Sequence, residues 1–178
     1  MKIAIIGVGL AGSKIAEAMV DYAARTDSDF VAGAIAVNTA RSDLLALERI
    51  PMENRLLVGE SRVKGNGAGS DSQLGAEIAR EDRGEILGAV GEIPIERTDA
   101  FLVVAGLGGG TGGGGAAVIA EAIGRVYTEP VYGLGVLPSR DEGGLYQLNA
   151  ARAFARLYDE VTSLLVLDNN AWWQPGGG

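Results

Sequence analysis

The chain has 178 residues, enough for one domain with a substantial core, and its formal net charge is −8. That charge argues against nucleic acid and acidic membranes as partners, since both attract basic surfaces, and we expect no direct insertion into a membrane. The sequence contains no cysteine or histidine, which excludes disulfides and the usual transition-metal ligands but leaves Mg²⁺ held by oxygen atoms possible.

The first 20 residues resemble a secretory signal only superficially. Gly7, Gly9, Gly12 and Lys14 interrupt the apolar run well short of a secretory core. We therefore interpret this segment as a strand followed by a helix, and we expect a cytoplasmic protein.

Six apolar segments bounded by turn residues predict β-strands. They are nearly continuous in Ile, Val, Leu and Ala, which is typical of parallel strands covered on both faces, and helical spacing of apolar residues separates most of them. This alternation predicts a doubly wound, mainly parallel α/β sheet, in which ligands bind at the carboxyl ends of the strands. The predicted strands are 2–6, 30–37, 55–58, 100–105, 131–137 and 163–167.

Glycine-rich segments follow three of these strands. Residues 7–12 form a GxGxxG pattern that opens a helix, where backbone N–H groups can meet a phosphate, although this pattern alone is a weak signal. Residues 65–71 have the composition of a loop too flexible for a packing role. Residues 106–115 contain eight glycines in ten residues, between a buried strand and a helix expected over 116–127.

The glycines of residues 106–115 need a compensating interaction, because each costs about 0.5–1 kcal/mol relative to alanine in regular structure. Backbone N–H groups close to a polyphosphate would supply it, with Thr111 adding a hydroxyl. A disordered linker is the alternative, but a linker would not lie between a buried strand and an amphipathic helix. No Gly-Lys-Ser/Thr follows, so the pattern is not a P-loop, and a cation and backbone dipoles must neutralise the phosphates.

The segment GGGTGGG at residues 108–114 closely resembles the GGGTGxG signature of the tubulin and FtsZ superfamily, and the other loops follow that family's order over essentially the whole chain. Asn38-Thr39-Ala40 and the Asp-Asn-x-Ala-Trp segment from Asp168 look closest to the archaeal CetZ branch, which is associated with cell-shape control. The resemblance implies a cytoskeletal GTPase domain that binds GTP or GDP, with Mg²⁺ held mainly by the phosphates. It also implies head-to-tail self-association into filaments, in cell-shape control or division.

The resemblance further implies which residues contact the nucleotide. Glu142 would accept hydrogen bonds from ribose hydroxyls, Asn169 would bind the guanine edge, and Asn38 and Thr39 would make additional contacts. The residues expected to bind phosphate are Gly9, Leu10, Ala11, Gly12, Ser13, Lys14, Gly67, Ala68, Gly69, Ser70, Gly108, Gly109, Gly110, Thr111, Gly112 and Gly113.

The sequence departs from the family at several of these loops. Leu10 stands where tubulins carry a glutamine that helps to hold the phosphate and its cation, and Ala40 stands where FtsZ proteins often have aspartate. Leu145 and Tyr146 replace a basic residue expected after the ribose carboxylate. We expect nucleotide affinity or metal dependence to differ accordingly.

We interpret residues 1–171 as the GTP-binding domain and residues 172–178 as the start of a linker to a central helix and a second domain. In the family, catalytic acids beyond that helix complete the nucleotide site of the next subunit. We therefore expect no catalytic residue in this chain, which should bind nucleotide but hydrolyse it poorly. Trp172 and Trp173 are expected to pack at the domain boundary in preference to covering the base.

Two alternative functions remain open at this point. An NAD(P)-binding Rossmann domain would share the GxGxxG pattern and the sheet, but its second strand should end in an acidic residue, whereas Asn38 stands here. A nucleotide-bound scaffold without turnover would differ only in the fate of the phosphate.

Several single residues also have two possible roles. Lys14 could reach a phosphate or remain solvated. Asp71 could hold a water on Mg²⁺, but we expect it to cap a turn. Asp43, Glu48 and Arg49 are expected on an exposed helix face.

Overall fold

A computed structural model describes residues 1–171 of the chain, and the predictions for Trp172, Trp173 and the linker at 172–178 lie outside those residues. Six strands are present, and each prediction is confirmed, with ends that differ by at most two residues. The strands are β1 (Ile3–Val8), β2 (Val31–Asn38), β3 (Arg55–Leu57), β4 (Ala100–Gly106), β5 (Val131–Leu137) and β6 (Ser163–Asp168).

Helices connect the strands. They are α1 (Gly9–Arg25), α2 (Arg41–Leu45), α3 (Glu60–Val63), α4 (Ser72–Glu81), α5 (Arg83–Gly91), α6 (Gly110–Val126) and α7 (Gly144–Glu160). Short 3₁₀ turns occupy Met52–Asn54, Ile95–Arg97, Arg140–Glu142 and Asn169–Ala171. None of the helices within residues 1–171 combines the length and apolarity needed to cross a bilayer.

All six strands pair in parallel in the order β3-β2-β1-β4-β5-β6, as the doubly wound prediction requires. Side chains alternate between the two faces of the sheet, so each central strand contributes to two cores. Ile5 and Val104 lie in the core beneath α1 and α2, whereas Ile6 and Val103 lie in the core beneath α4 to α7. β1 and β4 remain paired as far as Val8 and Ala105, but α1 and α6 cover opposite faces of the sheet. The connections that leave the two strands therefore diverge, and a crevice is expected between them.

Helix α6 begins at Gly110, six residues earlier than predicted. The early start has a packing reason, because α6 and α4 approach each other too closely for side chains. A Cβ on Gly114 would lie 2.1 Å from the Ser72 carbonyl oxygen, and a Cβ on Gly75 would lie 2.1 Å from the Gly110 oxygen. Gly114 and Gly75 therefore allow the two helices to touch, while Cβ atoms on Gly110, Gly112 and Gly113 would meet the backbone of neighbouring loops and strand ends within 2.6 Å. The composition alone does not distinguish this packing from phosphate binding.

Candidate functional site

A cavity of about 580 Å³ opens at the carboxyl ends of the strands, within the range typical of small-molecule sites. It lies where the connections after β1 and β4 leave toward opposite faces, as expected for a doubly wound sheet. The residues after β2, β5 and β6 also contribute to it. Its lining comprises Val8, Gly9, Leu10, Ala11, Asn38, Ala40, Ser42, Asp43, Asn66, Gly67, Ala68, Gly69, Gly106, Gly108, Gly109, Gly110, Thr111, Gly112, Val136, Leu137, Pro138, Glu142, Tyr146 and Asn169.

The turn after β1 places half of its predicted residues at the cavity. Gly9 has a positive φ of 72°, and a Cβ there would lie 2.9 Å from the Gly112 backbone nitrogen, so the start of α1 lies directly against the start of α6. Gly9, Leu10 and Ala11 line the cavity, and the Leu10 side chain is 53% exposed. The apolar Leu10 side chain offers no polar contact, so this turn presents mainly backbone groups.

The next three residues of α1 point elsewhere. A Cβ on Gly12 would lie 2.1 Å from the Val104 carbonyl oxygen, so this glycine is required by helix packing on the sheet. Ser13 is buried, and its hydroxyl has no hydrogen-bond partner within residues 1–171. The Lys14 ammonium lies 3.4 Å from the Ala46 carbonyl oxygen and 3.8 Å from a Glu17 carboxylate oxygen. None of these three residues lines the cavity.

The turn after β2 organises the neighbouring loops. The Asn38 side-chain oxygen accepts hydrogen bonds from the backbone nitrogens of Thr39 and Ala40, at 2.8 and 3.2 Å. Thr39 is fully buried, and its hydroxyl accepts from the Ala68 backbone nitrogen at 2.9 Å and lies 2.6 Å from the Thr111 hydroxyl. Asn38 lines the cavity, whereas Thr39 lies behind it. With the first loop after β1, the second after β2, the third at residues 65–71 and the fourth after β4, Thr39 joins the second, third and fourth loops.

The third loop is packed, so the prediction of a flexible segment without a packing role is wrong. Gly67 donates its backbone N–H to Thr39 at 3.0 Å, and Gly69 accepts from the Gly110 nitrogen at 2.8 Å. Gly67, Ala68 and Gly69 line the cavity, but Ser70 faces a second cavity beside α7. Asp71 caps α4 by accepting from the Leu74 nitrogen at 2.9 Å, as expected.

The turn after β4 contributes five consecutive predicted residues to the cavity. Gly108, Gly109, Gly110, Thr111 and Gly112 line it, whereas a Cβ on Gly113 would lie 2.4 Å from the Leu107 carbonyl oxygen. Nothing within residues 1–171 lies within 4 Å of a Cβ built on Gly109. The start of α6 therefore faces the cavity with backbone N–H groups and the positive end of a 17-residue helix.

The opposite end of the cavity consists of side chains after β5 and β6. Glu142 accepts a hydrogen bond from the Ser139 backbone nitrogen at 2.7 Å through one carboxylate oxygen, Oε1. Glu142 and Asn169 both line the cavity, together with Tyr146 and the apolar residues Leu137 and Pro138. This end therefore combines an apolar wall with polar groups that can fix an orientation.

Hydrogen bonds between its two neighbours order the turn that contains Asn169. The backbone N–H of Asn170 donates to the Asp168 carboxylate at 2.9 Å, and the Asn170 side-chain amide donates to the same oxygen at 2.7 Å. These two hydrogen bonds, in that order, lower the pKa of Asp168 because they stabilise its ionised form. The Asn170 side-chain oxygen in turn accepts from the Arg140 nitrogen at 2.9 Å, which ties the turn to the loop that carries Glu142.

Among the residues at or behind the cavity that were not predicted as site residues are Asp43, Tyr146 and Asn149. Asp43 was expected on an exposed helix face, but it lines the cavity and accepts from the Asn38 amide at 3.1 Å. Glu48 and Arg49 lie beyond the end of α2, and their backbone nitrogens donate to the Glu17 carboxylate. Tyr146 also lines the cavity, although the sequence analysis notes it only as one of two residues that replace an expected basic residue.

Asn149 is the third of these residues, and it is 3% exposed. Its amide nitrogen donates to the carbonyl oxygens of Ser70 and Gly108, at 2.7 and 3.1 Å. The sequence pattern could have indicated that Asn149 is buried, because it shares the helical spacing of the buried residues Ala153 and Leu157 and is the polar member of that face.

No cluster of three or more Asp or Glu side chains suited to a metal occurs within residues 1–171. Asp43 and Glu142 are the two carboxylates that line the cavity. Asp43 is engaged by Asn38, and Glu142 by Ser139. A cation would therefore need most of its oxygen ligands from a bound phosphate group.

Comparison with known proteins identifies the family of the chain. Residues 2–175 match the profile of the Tubulin/FtsZ family, GTPase domain. The chain is 57% identical over 176 residues to the tubulin-like protein CetZ3 of Haloferax volcanii, a match that covers 99% of this chain and 45% of CetZ3. The chain thus spans about half the length of the curated relatives it matches.

Solved structures agree with this placement. The GDP-bound monomer of CetZ1 from Haloferax volcanii superposes with a TM-score of 0.98 at 55% identity, covering 100% of this chain and 54% of that one. The CetZ2 protofilament from the same organism, bound to GTPγS, gives a TM-score of 0.94 at 42% identity, covering 100% and 52%. An empty FtsZ dimer of M. jannaschii gives 0.78 at 28% identity, covering 94% and 45%.

Proposed function

This chain belongs to the tubulin/FtsZ family as a GTPase domain, and from that premise we propose that its cavity binds GTP or GDP. One observation carries the proposal. Three glycine-rich turns, from different parts of the sequence, line a single cavity, and Glu142 and Asn169 line it from the side of β5 and β6, at one edge of the sheet. A guanine nucleotide has the same polarity, with anionic phosphates at one end and a polar sugar and base at the other.

The glycine end fits a polyphosphate. Backbone N–H groups at the starts of α1 and α6 face the cavity, and both helices have 17 residues, so their dipoles favour an anion there. A Cβ on Gly109 would project into space that no described residue fills, which is the space a phosphate would occupy. We assign phosphate contacts to the cavity-lining parts of the first, third and fourth loops: Gly9, Leu10 and Ala11; Gly67, Ala68 and Gly69; and Gly108, Gly109, Gly110, Thr111 and Gly112.

The remaining residues predicted to bind phosphate have supporting positions. Gly12 and Gly113 allow close backbone packing, and Ser70 is held against Asn149. Lys14 interacts with Ala46 and Glu17 outside the cavity, so we propose for it the solvated role. Thr39 is proposed to act through its buried hydrogen bonds to the third loop.

Ribose and base contacts are proposed for the other end. The second carboxylate oxygen of Glu142 makes no hydrogen bond within residues 1–171, so it can accept from ribose hydroxyls while Ser139 holds the first. Asn169 carries both a donor and an acceptor on its amide, the combination that a guanine edge requires. Mg²⁺ is proposed to be bound mainly by the phosphates, where it would neutralise their charge.

For the whole protein we propose GTP hydrolysis coupled to head-to-tail assembly into filaments, with a role in cell-shape control or division. The similarity to a CetZ2 protofilament supports assembly, and a heterologous contact of this kind does not close and so grows filaments. Within residues 1–171 the proposed phosphate end presents mainly backbone amides and the Thr111 hydroxyl; of the two lining carboxylates, Asp43 accepts from Asn38, and Glu142 is assigned to the ribose. We therefore expect this chain alone to bind nucleotide without steady turnover. Continuous phosphate release from a monodisperse monomeric sample would contradict that expectation.

The experiment that tests the proposed function begins with mass-spectrometric identification of the nucleotide released from purified chain. Titration with GDP, ADP and NAD under matched salt then measures the preference for guanine. We expect Asn169→Ala to weaken GDP binding at least about tenfold, the effect of losing hydrogen bonds to a base edge, with little change in melting temperature because Asn169 is exposed.

Asn66→Ala is the matched control for Asn169→Ala. Asn66 is also exposed and lines the same cavity, but from the β3 side of the sheet. It should leave the ratio of GDP to ADP affinity unchanged. Recovery of NAD instead of a guanine nucleotide would support the dinucleotide-binding alternative, and equal loss in the two variants would remove the assignment of base recognition to Asn169.

A further inference from the structure

The side chain of Asn149 connects two of the nucleotide loops from behind. It lies on α7, is 3% exposed, and donates from Nδ2 to the carbonyl oxygens of Ser70 and Gly108, at 2.7 and 3.1 Å. Its Oδ1 accepts from the Ser72 hydroxyl at 3.2 Å. The orientation of the amide is determined, because two carbonyl oxygens can pair only with its NH₂ group.

The hydrogen bond to Gly108 orients a peptide group in the cavity wall. In a trans peptide the C=O and the following N–H point in opposite directions, and residues 1–171 contain no cis peptide bond. Because the Gly108 carbonyl points back to Asn149, the Gly109 N–H points away from α7. Gly109 lines the cavity, and its N–H makes no hydrogen bond to any residue in 1–171.

That peptide group lies between two glycines, so its backbone could rotate at little steric cost. A rotation of about half a turn would aim the Gly108 carbonyl oxygen into the cavity, where it would repel an anionic phosphate. Asn149 opposes the rotation, because breaking its hydrogen bond would leave a buried amide donor unsatisfied.

We propose that Asn149 is a positioning residue for the nucleotide: it holds the Gly108–Gly109 peptide with the N–H toward the phosphates and joins the third loop to the fourth. This inference rests on the proposed guanine-nucleotide site and assigns to it a residue outside the cavity. Asn149 acts on the phosphates through the backbone, so its loss should weaken binding of the diphosphate and leave binding of the nucleoside nearly unchanged.

The test compares GDP with guanosine, by competition against a fluorescent GDP analogue, in the wild-type chain and in two variants. Asn149→Leu keeps the branched shape and the number of side-chain heavy atoms without donors, and Asn149→Ala avoids the overpacking that the larger leucine introduces. For each variant that melts cooperatively, we expect GDP affinity to fall at least about tenfold and guanosine affinity to change less than about threefold. Ser72→Ala removes the partner of Oδ1 but keeps both donors, and should lower GDP affinity less than about threefold.

A parallel loss of GDP and guanosine affinity would show a purely structural role and overturn the inference, as would unchanged GDP affinity in a folded variant. In both cases the wild-type chain still binds GDP, so the proposed function stands. Absence of GDP binding by the wild-type chain would overturn the proposed function itself, and this inference with it.

Discussion

The two ends of the cavity are built from different parts of the polypeptide. At the end proposed for the phosphates the wall is mainly backbone, held by buried contacts such as the hydrogen bonds of Thr39 and Asn149. At the end proposed for the sugar and base the wall includes side chains such as Glu142 and Asn169, which are exposed and lie in short local turns. Substitution at the first end should therefore disturb folding and binding together, whereas substitution at the second should alter selectivity in a folded protein.

The phosphate end itself uses glycine for two different reasons. In the third loop Gly65, Gly67 and Gly69 have φ values of 77°, 86° and 57°, a conformation that side chains disfavour. At the start of α6 the glycines have ordinary negative φ but lie against neighbouring backbone, as at Gly114. The same composition thus reflects backbone conformation in the third loop and close approach of neighbouring backbone at the start of α6.

The largest expected effect on stability concerns the glycines at the start of α6 that lie against neighbouring backbone. Gly114→Ala would place a Cβ 2.1 Å from the Ser72 oxygen and 2.6 Å from the Ala76 nitrogen, and backbone atoms cannot move aside cheaply. We expect the free energy of unfolding, measured in urea, to fall by about 3 kcal/mol or more. Gly88→Ala on α5 is the matched control, since its Cβ meets nothing within 4 Å, and it should stabilise by about 0.5–1 kcal/mol. A Gly114→Ala protein within 1 kcal/mol of wild type would refute the packing explanation.

The glycines with positive φ in the third loop predict a smaller effect on stability. Gly69→Ala places its Cβ in open space, so the cost comes from the positive φ alone, about 1–2 kcal/mol. Gly69→Asn should cost less, because asparagine adopts the left-handed region more readily. Urea unfolding of the two variants without nucleotide measures the difference. Equal losses for alanine and asparagine would mean that backbone conformation is not the reason for this glycine.

At the sugar end we expect a change of selectivity without a loss of stability. Glu142→Gln keeps an acceptor for the Ser139 N–H but removes the charge, which roughly halves the strength of a hydrogen bond to a ribose hydroxyl. The preference for GDP over its 2′-deoxy and 3′-deoxy analogues should fall about threefold to fivefold in a titration. Glu53→Gln, an exposed carboxylate in a 3₁₀ turn away from the cavity, should leave the preference intact. A fall in melting temperature without a change in this preference would mean that Glu142 stabilises the fold and does not bind ribose.

The smallest expected effect concerns the turn beneath Asn169. The pKa of Asp168 is lowered by the Asn170 backbone and side-chain donors, so its contribution to stability is present above its unfolded pKa of about 3.9 and is lost as the pH falls through the lower folded pKa. Asn170→Ala removes the side-chain donor and should raise the pKa of Asp168, which a carbon-13 NMR titration of the carboxyl group measures. Asn54→Ala should not move it. An Asp168 that titrates at its ordinary value in the wild type would mean that this turn is not ordered in solution.

Local patterns were sufficient for much of the architecture. The six strands were predictable because each is a short, nearly continuous apolar run, as in residues 131–137, where the prediction and the structure coincide. Family membership was predictable because the glycine signature at 108–114 and the later Asp-Asn-x-Ala segment occur in a distinctive order. Glu142 and Asn169, which the family resemblance implies as nucleotide contacts, both line the cavity, since they lie in the connections after β5 and β6.

The sequence by itself determined the order of strands and turns, and hence the family and the edge of the sheet that carries the site, since these depend on residues near one another in the chain. The tertiary structure alone decided that α6 begins at Gly110, that Lys14 turns away from the cavity, and that Asn149 reaches Gly108. These features arise from contacts between residues 32 to 41 positions apart, and also between α4 and α6. The physical reason is that a glycine or a buried amide takes its role from the backbone packed against it, which no local pattern records.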